Sequence, residues 1–502
     1  MSADAAKRLF AFYKTMPERA LAGDLGTAGK LAVRAFANLI QSRLTRARPA
    51  ELIGRSKAFA DAAGEAGAIE TTATMDALQN CIGLVGRFGL GPFAGLAKAR
   101  MVEGAIPACS TAIAWGRATH DGELIFARNF DFPGVGVWDA APAFVTCAPD
   151  RGQRYGFFTS RGADTPVVTV VNEAGLVMAP HTRFHRDITA MRGAMIVDLV
   201  HEIARKAETL EDAIRIAREM PASSSWGIAI GSAREKSAIV LEIAGPQLAV
   251  IRPTENYLVC ANRYRTPALQ ERELAASEAW AIHSDRRQCR LEALLAANVV
   301  TPEQLVAFMG DRTTHLGSNL SQLLNVHCAV VTPAKLQALV GVDRAPACRG
   351  QWEALTWTWD GAFTTEPRDL APPHDAADAA IYEASQAYDN HHDTAGALAA
   401  IERAVAAAPD DPSLRQAAAW LALELGRAER AIAQTEAGLV HETERYRRGQ
   451  LLAWGVRAAH RKNPALAKRW RAELDRLDLP ELSAIAARRG RPHINLMMAD
   501  AY

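Results

Sequence analysis

Cys109 stands between small residues and the start of an apolar run: Ile106-Pro107-Ala108 precede it, and Ser110-Thr111-Ala112-Ile113 follow. A thiol in that setting can attack a carbonyl. Because the thiolate is the competent form, a nearby cation and a base decide its reactivity. The chain supplies both types downstream. Arg128-Asn129-Phe130-Asp131 ends the next apolar run, Asn262-Arg263 follows another, and Ser284-Asp285-Arg286-Arg287 opens a predicted helix. Asn172-Glu173-Ala174-Gly175-Leu176 reads as a turn between two strands. Each feature has an ordinary alternative. A lone Cys is most often a small core hydrophobe, Arg128 and Asp131 could be an ion pair at a strand end, and Asn262 could be a turn residue. Their order along one chain favours the chemical reading.

The elements that must position these groups fall into three textures. Residues 1–108 are rich in Ala, Lys and Arg at helical spacing and predict a helical leader. From 109 the period changes to short strands: 111–115, 124–128, 143–147, 155–160, 167–171, 176–179, 227–230, 238–243, 248–251, 257–260 and 326–331. Asp121-Gly122 marks a hairpin between the first two. Helical blocks at 192–219 and 267–309 interrupt the strands, so sheets packed face to face with helices outside are expected over 109–362. Residues 363–376 hold three prolines and predict a linker. Beyond it, 377–490 read as helical hairpins. Tyr388, Ala397, Ile401, Ala404 and Pro409, then Gly426 and Ala431, fall on the tetratricopeptide pattern; an Ala-rich bundle is the alternative.

Composition excludes several classes. A chain of 502 residues with 49% hydrophobic content can bury a large core, and a net charge of +1 gives no global field for nucleic acid or a membrane surface. Seven scattered cysteines without a CxxC pair argue against a disulfide framework or structural zinc. Neither a signal-like apolar start nor a membrane span is legible, so a cytoplasmic protein is expected.

Taken together, Cys109, Arg128, Asp131, the Asn172–Leu176 turn, Asn262 and Arg287 resemble the amino-terminal-nucleophile (Ntn) hydrolases. The resemblance is nearest to the isopenicillin N acyltransferase branch, itself similar to the choloylglycine hydrolase and penicillin V acylase branch, and it spans roughly residues 50 to 360. It implies an α/β fold, a four-layer αββα sandwich, here followed by an all-α helical-repeat domain. It implies that Cys109 is the nucleophile, unmasked by self-cleavage of the Ala108–Cys109 bond, with residues 1–108 as the leader. Arg128 and Asp131 would position the sulfur and the new amino group, Asn262 would help form the oxyanion hole, and Arg287 would be a late arginine of the site. Relatives place an Asn or Tyr, as a second oxyanion contributor, where this chain has His181-Thr182. Thr182 could donate there through its backbone N–H, and a preference for bile salts or penicillin V is not carried over.

Elementary chemistry agrees with those roles. A free α-amino group titrates near 7.7–8.0 and can act as general base without a His. An oxyanion hydrogen bond is typically worth about 3 kcal/mol. Pro107 would pre-set the backbone before the scissile bond. Phe130, Phe132 and Trp138 are expected to wall an apolar acyl pocket, with core packing as their alternative role, and Arg183 or Arg186 could meet a charged headgroup. The substrate expected is a small-molecule N-acyl amide, hydrolysed or used for acyl transfer through a Cys109 thioester, with no cofactor and no metal. The competing reading is a degenerate Ntn-like scaffold whose repeats bind a protein partner.

Other signals are set aside. His181 and His185 are expected at a pocket rim rather than on a metal, and His391-His392 in a solvated turn. Gly89 to Gly95 lacks the preceding strand of a phosphate loop. The basic runs Arg445–Arg448, Arg461-Lys462 and Arg488–Arg491 are read as solvated helix faces.

Overall fold

In the computed structural model, residues 2–21, 26–64, 72–88, 108–188, 192–274, 278–313, 317–488, 494–495 and 500–501 are described. Residues 89–95 and 106–107, singled out above, lie outside them.

β-branched and aromatic runs after Cys109 assemble two seven-stranded antiparallel sheets. The first has the order β10-β1-β2-β11-β12-β13-β14 and the second β3-β4-β5-β6-β7-β8-β9. The first contains β1 (Ser110–Ala114), β2 (Ile125–Asp131), β10 (Tyr257–Cys260), β11 (Asn325–Thr332), β12 (Gln337–Gly341), β13 (Trp352–Trp357) and β14 (Phe363–Arg368). The second contains β3 (Pro142–Cys147), β4 (Tyr155–Ser160), β5 (Thr169–Asn172), β6 (Leu176–Thr182), β7 (Ser225–Ser232), β8 (Ser237–Ala244) and β9 (Gln247–Ile251).

Side chains alternate across each strand, and the central strands of both sheets are covered on both faces. Ile113, Phe126 and Ala329 of the first sheet meet Phe158, Val177 and Val240 of the second in one buried cluster. The outer face of the first sheet, through Ala112 and Val330, packs on helices that span Glu278–Ala297 and Pro302–Met309, through Leu291 and Leu305. The outer face of the second, through Phe157 and Ile228, packs on helices Ile196–Lys206 and Leu210–Glu219, through Val200 and Ile214. The domain is therefore a four-layer αββα sandwich. Burial on both faces also explains why β6 and β7 read as continuous apolar runs rather than alternating ones.

Before β1, the described residues form four helices in the segment expected to be the leader: α1 (Ser2–Leu21), α2 (Gly26–Arg46), α3 (Ala50–Ala63) and α4 (Thr74–Phe88). Continuing in chain order, the four helices flanking the sheets become α5 (Ile196–Lys206), α6 (Leu210–Glu219), α7 (Glu278–Ala297) and α8 (Pro302–Met309). Buried polar bonds fasten the leader to the sandwich. Arg48 reaches Asp198 of α5 at 2.8 Å with both side chains buried. Asp76 of α4 accepts hydrogen bonds from the Ile196 N–H at 3.0 Å, the Trp226 Nε1–H at 3.1 Å and the Ser224 hydroxyl. Gln79 Oε1 accepts from the Ser225 N–H at 3.0 Å.

The structure corrects four readings of the sequence. Strands β12 and β13 were not legible, and Phe363–Arg368 is the edge strand β14 rather than the start of a linker. It is fully exposed, so charge and Pro367 disguise it; proline is tolerated at a sheet edge because no partner lies beyond. β1 and β2 do pair, Thr111 opposite Arg128, but through a ten-residue connection with a short 3₁₀ turn (Gly116–Ala118) rather than a tight hairpin. Gly122, at φ +74°, serves that connection. Arg287 lies inside α7, not at its opening.

A second compact unit begins at Pro373. It consists mainly of helices packed on their sequence neighbours: α9 (Ala376–Ser385), α10 (Thr394–Ala407), α11 (Pro412–Glu424), α12 (Ala428–His441), α13 (Arg445–Lys462), α14 (Pro464–Arg476) and α15 (Pro480–Ala487). Proline at the first turn with Asp411 or Asn463 as N-cap starts α11 and α14, as helix-start chemistry requires.

Candidate active site

Alternation along β1 and β2 decides which groups meet. Ile113 and Phe126 point between the sheets, so Thr111 on β1 and Cys109 just before it, and Arg128 and Phe130 on β2, point there too. The β1–β2 ladder continues past Ser110, with the Ala108 N–H donating to the Asp131 carbonyl at 3.0 Å. Cys109 is thereby fixed opposite Phe130 at the end of the sandwich, and Arg128 Nη2 donates to its Sγ at 3.2 Å. The same Nη2 donates to the Pro180 carbonyl of β6 at 2.6 Å, tying the two sheets together beside the thiol.

Arg287 approaches from α7 on the outer face. Its Nη1 donates to the carbonyls of Ala108 and Cys109, each at 2.8 Å, and to Ser110 Oγ at 2.7 Å. Its Nη2 donates to Asn262 Oδ1 at 3.0 Å, and Asn262 Nδ2 donates to the Thr182 carbonyl at 3.1 Å. An amide nitrogen carries two hydrogens, so Asn262 keeps a second donor. Cys109, Arg128, Asp131, Asn262 and Arg287, far apart in sequence, are thus brought together and buried.

Their surroundings set their ionisation. Burial pushes the Cys109 thiol up, and Arg128 opposes it. Burial carries the Asp131 carboxyl up to about 7, against the pull of Arg287, the Asn325 amide and Arg128. Asp131 Oδ1 accepts from Asn325 Nδ2 at 2.8 Å, whereas Oδ2 has no hydrogen-bond partner among the described residues. Such an orphan costs on the order of 1–3 kcal/mol, more for a charged group.

The structure places the remaining candidate residues as follows. Phe130, Phe132 and Trp138 form one buried cluster, with centroid distances of 5.1 to 5.7 Å, and Tyr13 of α1 covers it at 6.1 Å from Trp138. Thr182 is buried and uses its carbonyl to hold Asn262. His181 is not at a rim. It lies within β6, fully buried, with Nε2 2.8 Å from Thr111 Oγ1. Burial, Arg128, Arg183 and Arg287 hold its pKa well down, so it is neutral. Arg183 is not available to a headgroup: it is buried, paired with Glu242, and fits only because Gly227 lacks a side chain, since a Cβ there would lie 2.5 Å from Arg183 Nε. His185 is buried as well, its Nε2 3.1 Å from the Leu269 carbonyl. Asn172 is structural, donating to the Ala204 and Ala207 carbonyls at 3.0 and 2.8 Å.

Sequence reasoning passed over Asn325, Thr111 and His327. His327, on β11 directly opposite Phe130, is buried with neither ring nitrogen hydrogen-bonded among the described residues, and burial lowers its pKa to about 3. The available signal was a polar residue at the head of an otherwise apolar strand, as in Asn325-Val326-His327.

Comparison with known proteins fits this geometry. Residues 117–343 match the family model described as acyl-coenzyme A:6-aminopenicillanic acid acyl-transferase. The match covers under half of the chain, takes in Arg128, Asp131, Asn262 and Arg287, and begins just after Cys109. The likeness is to an acyl-transferring enzyme family. Among solved structures the chain is similar to the Caenorhabditis elegans N-acylethanolamine-hydrolyzing acid amidase ortholog, at 13% identity and a TM-score of 0.34, covering 45% of this chain and 93% of that one. Among curated proteins nothing matches. No described helix is long and apolar enough to cross a membrane.

Proposed function

We propose that this protein is a self-processing cysteine Ntn enzyme that cleaves linear amide bonds of small N-acyl compounds through a Cys109 thioester, delivering the acyl group to water or to an amine. The observation that carries the reading is the convergence on one peptide unit: Arg128 donates to Cys109 Sγ at 3.2 Å while Arg287 holds the Ala108 carbonyl at 2.8 Å.

In maturation the Cys109 sulfur attacks the Ala108 carbonyl carbon. The Ala108–Cys109 C–N bond breaks, a proton passes to the Cys109 nitrogen, and a thioester links Ala108 to the sulfur. Water hydrolyses it, leaving the Ala108 carboxylate, the free thiol and a new α-amino group. Asp131 Oδ2 supplies the acceptor that orients this amine. In turnover the amine takes the thiol proton, the sulfur attacks the substrate carbonyl, and the proton passes to the leaving amine. Asn262's second N–H stabilises the oxyanion, and His181, neutral and bonded to Thr111, is a second candidate donor.

Intact mass of the purified protein tests this reading. The parent chain should give two fragments broken at Ala108–Cys109, and Cys109→Ala should remain one chain. Cleavage of Cys109→Ala at the parent's rate would refute the assignment. Acid release from a panel of N-acyl amino acids, acyl-homoserine lactones and β-lactam side-chain amides would then define the substrate.

A further inference from the structure

We propose that the carboxy-terminal helical unit holds a binding site for a small molecule carrying two or more phosphates. The turn after α11, the second half of α13, α14 and the end of α15 line an open cleft of about 730 Å³. That volume is in the range of small-molecule sites, whose common span is roughly 300–1,000 Å³.

The charge of its wall is one-sided. Arg457, Arg461, Lys462, Lys468, Arg471 and Arg488 line it, and no Asp or Glu does among the described residues. Two of the six are offset from outside: Lys462 pairs with Glu429 at 2.6 Å and Arg471 with Asp475 at 3.0 Å. Both pairs are largely exposed and worth little in water. Arg461, Lys468 and Arg488 make no ion pair among the described residues. Arg457 is half-buried, with its guanidinium 4.3 Å over the Trp454 ring. Burial, with a smaller push from the like charge of Arg488, lowers its pKa to about 10.

Helix-end chemistry accounts for only part of this. Arg461 and Lys462 sit in the last turn of α13, where cations complement the helix dipole. Arg488 follows the last residue of α15 and is placed the same way, whereas Lys468 and Arg471 lie past the first turn of α14, outside the reach of that effect. Three separate stretches of sequence, with acidic residues interleaved among them, therefore turn their cations to one space. A multiply charged anion relieves that crowding, and arginine forks match phosphate oxygens in pairs. Leu423, Val456 and Ala467 add an apolar wall suited to a ring or short apolar body beside the charges. That combination favours a nucleotide-like molecule.

The test is calorimetric titration of the full-length protein with ATP, AMP, adenosine and inorganic triphosphate, at low and raised salt. ATP should bind more tightly than AMP, adenosine should not bind, and salt should weaken ATP. The exposed-residue variant Arg461→Gln/Lys468→Gln/Arg488→Gln should weaken ATP by about tenfold or more, since charge-assisted hydrogen bonds are lost. Its cleavage at Ala108–Cys109 should match the parent's, which keeps failure here separate from failure of the enzymatic reading. Inorganic triphosphate equal to ATP would uphold the class and assign recognition to the phosphates alone. Absence of binding by both ATP and triphosphate, unchanged affinity in the triple variant, or tighter binding of a Glu-rich peptide than of ATP would overturn the proposal.

Discussion

The buried carboxyl of Asp131 titrates near neutrality because burial outweighs the two arginines that favour its charged form. A carboxyl raised this way contributes stability that is fully present below its unfolded value near 4 and is lost as pH rises through about 7. Asp131→Asn removes that loss. The variant should unfold at a temperature no lower than the parent's at pH 8, while turnover falls by about a hundredfold or more because the new amine has lost its acceptor. Thermal melts at pH 5 and pH 8 beside an activity assay separate the two effects; a variant keeping most of its turnover would remove Asp131 from the machinery. Arg287 is equally specific, since one guanidinium meets two carbonyls, a hydroxyl and an amide. A lysine has no planar fork, so Arg287→Lys should slow self-cleavage at least about tenfold. At this scale the sequence led to Arg128, Asp131 and Arg287, which the fold buries beside Cys109. It did not lead to Asn325 and His327, because a polar residue on a strand betrays neither its facing side nor its neighbour. The depth of His181 and Arg183 was illegible for the same reason, being set by β7 and its Gly227.

Strands buried on both faces, such as β6, β7 and β11, were plain from their apolar runs, and their helices from their period. Strands β12 to β14 were not, because they approach the sheet edge, where one side faces water and a segment such as Phe363–Arg368 carries the composition of a linker. The leader helices were legible as helices but not as part of the domain, since their anchors are single polar residues. Those anchors predict the fate of the leader. With Arg48, Asp76 and Gln79 bonded in the interior, the fragment released from Cys109 should remain bound. The two fragments should co-elute in native size exclusion and part only in denaturant; a leader that separates without denaturant would show these contacts to be weak. The Arg48–Asp198 pair gives a sharper reading. Asp198→Ala leaves a buried guanidinium alone and should cost about 3–5 kcal/mol in urea unfolding, whereas adding Arg48→Met should recover most of that loss. Equal destabilisation in single and double variants would mean that packing, not charge, holds the joint.

The whole molecule divides its labour between two units, and every group assigned to the thiol's surroundings, from Cys109 to Asn325, lies in the first. Nothing in the αββα architecture needs a helix beyond β14 to complete a layer: its outer helices are α5 and α6 on one side and α7 and α8 on the other. The second unit has its own buried core, with Trp420, Trp454 and Leu452 in its interior. A chain ending at Pro372 is therefore expected to fold and to break at Ala108–Cys109 as the parent does. The break is read by mass, and the fold by near-ultraviolet circular dichroism. A soluble, folded truncation that stays intact would show that the helical unit acts on the thiol, and the separation of catalysis from the carboxy-terminal helices would have to be abandoned.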